Sequence, residues 1–136
     1  PYVSSDNNVL NRGELGIQGS RPAEIIKLWL GLRFLGMQGI YNVLNSSIEK
    51  RIYLESNLNT DKYDLYSGPL HIISFLPKGL DKNQSDLWTL NKKISLMKNN
   101  FMLSRPLFKN RYCLRAVLGN YNTSNVHIKD LLKLLN

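Results

Sequence analysis

The sequence predicts an α+β fold: a small antiparallel sheet with helices packed on one face. Three observations carry this expectation. Apolar residues recur at helical spacing over long early and late segments, a short apolar run bounded by Gly68-Pro69 and Pro77 interrupts them, and residues 111–118 alternate. Helices and antiparallel strands in one short chain are most simply buried as two layers around a single core.

Residues 1–19, rich in Ser, Asn and Gly, read as loop. Pro22 suits the first turn of a helix, where its missing N–H costs nothing. Ile25, Leu28, Trp29, Leu32 and Leu35 follow the i, i+3, i+4, i+7 rule, so this helix should bury one face. Gly36 and Gly39 interrupt it. The period resumes at Ile40, Val43, Leu44, Ile48 and Ile52 and fades near Leu58, as a second helix or a bent continuation of the first. Leu70 to Leu76 suits a strand. A third helix is expected over Ser85 to Lys98, with Leu87, Leu90, Ile94 and Met97 inward. Phe101 to Leu103 reads as an edge strand ended by Pro106. From Arg111 to Leu118, Tyr112, Leu114, Ala116 and Leu118 point one way and Cys113, Arg115 and Val117 the other. Asn122 or Thr123 can cap a last helix carrying Ile128, Leu131, Leu132 and Leu135.

At 136 residues the chain is about one domain long, and 43% hydrophobic residues suffice for one core. No apolar run approaches the ~20 residues of a membrane helix, and the N-terminus lacks a signal pattern. The single cysteine, Cys113, cannot form an internal disulfide, so a reducing, cytoplasmic setting is expected. Its place in an alternating strand reads as a buried, inert thiol. A net charge of +8 favours anionic partners, but the basic residues are scattered. The tyrosines are too dispersed for a base-stacking platform, so nucleic acid is a poor expectation. His71 and His127 lack neighbouring ligands at metal-binding spacing, so no metal site is expected. Trp29 and Trp88 stand among leucines and read as core.

Two places suggest chemistry. In Gly19-Ser20-Arg21-Pro22 a hydroxyl and a guanidinium stand at a helix start beside free N–H groups, a good contact for a phosphate or carboxylate. In the alternative reading Ser20 only caps the helix and Arg21 is solvated. Arg115 lies inside the most apolar strand, Tyr-Cys-Leu-Arg-Ala-Val-Leu. A buried unpaired charge costs several kcal/mol, roughly, so it needs water, an anion, an edge position or a structural salt bridge. An arginine fork donates two parallel hydrogen bonds to a carboxylate, which lysine cannot do.

The segment LGIQGSRPAEIIKLWLGLRFLGMQGI resembles the corresponding segment of pyridoxal-phosphate-dependent group II amino-acid decarboxylases, the glutamate, aromatic amino-acid and diaminobutyrate decarboxylase family. In that group a Gly/Ser-Arg pair precedes a Lys-Leu-Trp helix and a Leu-Gly-x-x-Gly break. The matching residues are Ser20-Arg21, Lys27-Leu28-Trp29 and Leu35 to Gly39. The PYVSSDNNVL opening and the GSRP form also resemble the tyrosine-decarboxylase and sphingosine-phosphate-lyase branches. RYCLRAVLGNYNTSNVHIKDLLKLL is similar to the family's closing strand and helix. Residues 59–105 match mainly in pattern.

The resemblance implies the C-terminal portion of a fold-type-I enzyme: residues 1–39 as the end of the large domain and linking helix, and 40–136 as the small domain. It implies a homodimer with sites at the subunit interface, an amino-acid substrate and pyridoxal 5'-phosphate as cofactor. The family's Schiff-base lysine typically lies in a His-Lys pair, and this sequence contains none. The chain is therefore expected to begin beyond that lysine, to hold no catalytic residue of its own, to bind cofactor poorly and to be inactive alone. Ser20, with Arg21 close by, would contact the cofactor phosphate of the neighbouring subunit. Arg115 would bind the substrate carboxylate that is retained. Two alternatives stand beside this: the lyase branch that cleaves carbon–carbon bonds in phosphorylated amino alcohols, and a free-standing basic α+β module that binds nucleic acid or another anion.

Overall fold

The computed structural model describes residues 24–136. The elements are helix α1 (Glu24–Asn57), strands β1 (Tyr63–Ser67) and β2 (Ile72–Pro77), helix α2 (Lys82–Lys98), strands β3 (Leu107–Phe108), β4 (Arg111–Tyr112) and β5 (Leu114–Val117), and helix α3 (Asn125–Leu135). The chain divides into two units between Met37 and Gln38. The architecture is α+β, as expected.

α1 is two helical segments joined at a break, not one continuous helix. At Gly36 the backbone takes φ 63° and ψ 178°, a region open essentially to glycine alone. Gly39 sits within regular helix. The expectation that the first half buries one face is not met. Ile25 (71%), Leu28 (57%), Trp29 (52%), Leu32 (46%) and Leu35 (43%) all remain exposed, and Trp29 is met by the Arg33 guanidinium, 5.0 Å from its ring centroid. Helical spacing identifies an apolar stripe, but burial needs a second surface.

The second unit holds the core. An antiparallel sheet in the order β1-β2-β5 pairs Leu65 with Phe75 and Phe75 with Leu114. Phe75, Ile73, Leu114 and Ala116 face inward, against Leu54 of α1 and Leu58 just beyond it, Leu96 of α2, and Ile128, Leu131, Leu132 and Leu135 of α3. The four inward positions expected of the last helix are all buried. Its N-cap is Ser124, one residue beyond the nearer expected cap. Tyr63 joins the core, its ring edge-on to Phe75 and its hydroxyl donating to the Leu135 carbonyl at 2.6 Å.

Helix α2 departs from expectation in both start and facing. Asp81 caps it, accepting from the Gln84 N–H at 2.8 Å while Gln84 reaches back to the Asp81 N–H, so the helix begins at Lys82 rather than Ser85. The buried stripe is Ser85, Thr89 and Leu96, with Trp88 half-buried against Tyr63. Leu87, Leu90, Ile94 and Met97 are exposed. Arg105 explains the inversion, because its Nε donates to Thr89 Oγ1 and an Nη to the Asp86 carbonyl, both at 2.9 Å.

Phe101 to Leu103 is not a strand. The Phe101 N–H closes the end of α2 on the Leu96 carbonyl and the Asn100 N–H bonds Met97, with Asn100 at φ 64°. That pattern is a Schellman termination, which holds the segment to the helix. The chain meets the sheet only at Ser104, bridged to Arg115. The run 111–118 splits at Cys113, whose N–H turns to the Pro106 carbonyl at 3.1 Å. Residues before it pair with β3, and those after it with β2. Strands β1 and β3 fall outside the elements expected from the sequence.

Candidate functional site

Strand alternation sets the geometry around Arg115. With Leu114 and Ala116 committed to the core, Arg115 points to the opposite face of the sheet. Ser74 lies directly across on β2, and Tyr66 lies across from Ser74 on β1. On the other flank Ser104 exchanges both backbone hydrogen bonds with Arg115, at 2.8 and 3.1 Å. A row Tyr66–Ser74–Arg115–Ser104 therefore crosses the sheet.

The Arg115 side chain is half-buried. Its Nε donates to Ser104 Oγ at 3.0 Å. Among the described residues no carboxylate lies within salt-bridge distance of it, so the structural-salt-bridge alternative does not apply there. Nε is held and the terminal nitrogens make no hydrogen bond to a described residue, the arrangement that presents a guanidinium fork to an incoming anion. The β3–β4 hairpin adds a second cation to this face. Phe108 packs on Tyr66 at 5.0 Å between ring centroids, and Lys109 Nζ lies 5.2 Å from the Tyr66 ring centroid.

Cys113, two residues before Arg115, shares its face but is fully buried. Burial pushes its thiol up from the ordinary value, offset in part by a hydrogen bond with Ser74 and by the Arg115 charge. Its Sγ contacts the Pro106 carbonyl at 3.6 Å. The thiol is thus an inert part of the packing, as expected from its strand position.

Ser20 and Arg21 lie outside the described residues. Of the sequence-derived candidates, only Arg115 is therefore placed. Ser74, Ser104, Tyr66 and Lys109 around it were not singled out from sequence. Period-two alternation pointed to the face but could not show which strands lie beside β5.

No family model matches the chain. Solved structures do. Mouse CSAD in its apo form aligns at a TM-score of 0.74 and 19% identity, over 97% of this chain and 32% of that one. TDC of Oryza sativa, solved with PLP, aligns at 0.76 and 14% identity, over 90% of this chain and 28% of that one. Catharanthus roseus tryptophan decarboxylase in complex with L-tryptophan aligns at 0.71 and 18% identity, over 86% and 27% respectively. At such identities the likeness establishes a shared fold. The chain spans about a third or less of the length of these structures.

Proposed function

We propose that this chain is the C-terminal part of a pyridoxal-phosphate-dependent amino-acid decarboxylase and supplies anion contacts to a catalytic centre completed by other residues. The observation that carries the reading is Arg115: a half-buried guanidinium, steadied by Ser104 and lacking a carboxylate partner among the described residues. It stands on a fold shared with structures whose names include tryptophan decarboxylase and a TDC holding PLP. Those neighbours favour decarboxylation over the carbon–carbon lyase branch.

Bound pyridoxal phosphate supplies an electron-accepting ring for the bond broken when the α-carboxylate leaves. The residues of this chain have simpler tasks. On the family resemblance, Ser20, with Arg21 close by, would contact the cofactor phosphate across the dimer, as a serine at a helix start can. Arg115 holds the carboxylate that is retained, fixing the substrate from the small-domain side. On this reading the chain binds and orients, while the Schiff-base lysine and its proton chemistry come from other residues, so the chain alone should be inactive. The exposed apolar stripes of α1 and α2 support the same reading, as surfaces that further parts of the protein would cover.

In the complete enzyme, Arg115→Leu should raise the substrate KM by about 10- to 100-fold, the worth of one charge-assisted hydrogen-bonded pair. kcat should change much less, because the contact is made equally before and during the reaction. Steady-state decarboxylation kinetics check this. Unchanged KM would return Arg115 to a structural role. A coding sequence lacking a His-Lys pair upstream of Pro1 would sink the wider reading.

A further inference from the structure

Helix α2 carries a surface that the core does not use. Its buried side is Ser85, Thr89 and Leu96. On the opposite side Leu87 (60%), Leu90 (44%), Ile94 (45%) and Met97 (49%) stay exposed. Their spacing is three, four, three, the a/d repeat of a coiled-coil seam. A strict a/d line is narrower than the arc of roughly 100° with which a helix packs on a broad core. The stripe therefore has the shape that receives one further helix.

The flanks of the seam decide what kind of helix. α2 holds four lysines and one carboxylate, Asp86. Asp86 accepts from the Tyr112 N–H at 3.1 Å, which ties it to β4, and Lys92 donates to the Leu134 carbonyl of α3. Lys93 and Lys98 occupy the g and e positions beside the seam. Among the described residues neither has a carboxylate within 4.0 Å. A second copy of α2 matches the seam but not these flanks. A parallel pair sets Lys93 against Lys98 of the other copy, and an antiparallel pair sets Lys93 against its own equivalent. Acidic residues on an incoming helix would answer both lysines.

We propose that the outer face of α2 docks an amphipathic helix with apolar a and d residues and Asp or Glu at its flanks, supplied by the part of the protein that lies outside this chain. That source rests on the reading of the chain as part of a longer enzyme, since it spans about a third or less of the structures it matches. The recognition itself rests on α2.

The test uses two synthetic helical peptides with leucine at a and d, one carrying glutamate and the other lysine at e and g. Each is titrated against the chain by calorimetry. The glutamate peptide should saturate at one per chain and bind about tenfold more tightly than the lysine peptide, through two favourable flank contacts in place of two repulsive ones. Lys93→Glu with Lys98→Glu should reverse that preference. Neither lysine belongs to the core, so the Tm of the chain should stay nearly unchanged. Leu90→Asn should weaken both peptides. In the complete protein the same double reversal should lower Tm, an effect absent from the chain alone. Equal affinity for the two peptides, capture by anionic lipid vesicles in preference to the glutamate peptide, or an unchanged Tm of the complete protein would each overturn the proposal. None of these outcomes bears on Arg115, which is judged by the KM of its own variant.

Discussion

Ser104 touches Arg115 at both backbone and side chain, so the arginine is positioned before any anion arrives. Ser104→Ala keeps the backbone bridge and removes the hydroxyl's contacts with Arg115, at Nε and at the carbonyl oxygen. In the complete enzyme it should raise KM by about 2- to 10-fold, a neutral hydrogen bond's worth, and so less than Arg115→Leu. A KM equal to wild type would mean that the hydroxyl plays no positioning part. Titrating groups near the sheet give the pH dependence of stability. Burial raises the Cys113 thiol and the Tyr63 hydroxyl. Raised folded values mean that the unfolded chain loses these protons first. Stability should therefore fall as pH climbs above about 8.5, and further above about 10. Urea midpoints between pH 7 and 10 should show a shallower decline for Cys113→Ala. At the acid end the Glu55 carboxyl is held low, chiefly by its hydrogen bond from Ser67 and then by Arg51, against an opposing effect of burial. Its contribution is present above about pH 4.3 and disappears as pH falls through its lower folded value. Of the site, sequence revealed Arg115 because a charge inside an apolar alternation is conspicuous. Ser74 and Ser104 were invisible, because a serine in a strand carries no signal until the neighbouring strands are known.

At the scale of elements, the start of α2 rests on one reciprocal pair. Asp81→Ala removes the acceptor for the Gln84 N–H and should cost about 1 kcal/mol, read as a lower midpoint in denaturant with an unchanged m value. The same helix shows how far periodicity carries. Leu87, Leu90, Ile94 and Met97 form a proper helical stripe, yet the sheet side takes Ser85 and Thr89, because small residues admit Arg105 against the helix. Helix, strand and turn chemistry located α1, β2, α2, β5 and α3. They gave α3 its correct inner face, where no competing polar contact intervenes. β1 escaped because Tyr63, Asp64, Leu65, Tyr66 and Ser67 lack clean alternation, and the strand exists through its pairing with β2 alone. Phe101 to Leu103 was misread because its apolar residues follow a helix termination that fixes the backbone first.

For the whole molecule, the decisive fact is apolar surface left facing water. Phe34 is 90% exposed and Met37 82%, beside the stripe from Ile25 to Leu35, and α2 presents a second apolar stripe. Monomeric soluble proteins seldom expose continuous patches of this kind. On the proposed reading, residues outside this chain cover them, so the chain studied alone should associate through them. Sedimentation velocity over a range of concentrations should show species larger than the monomer. Leu28→Glu with Phe34→Glu should shift the distribution towards monomer. Neither residue belongs to the core around Phe75 and Leu114, so the pair should leave the Tm of the second unit nearly unchanged. Leu87→Lys with Ile94→Lys makes the same comparison for α2. A chain monomeric at high concentration would show these stripes to be compatible with water. That result would remove the support they lend to a larger protein, while leaving the Arg115 assignment to its own kinetic test.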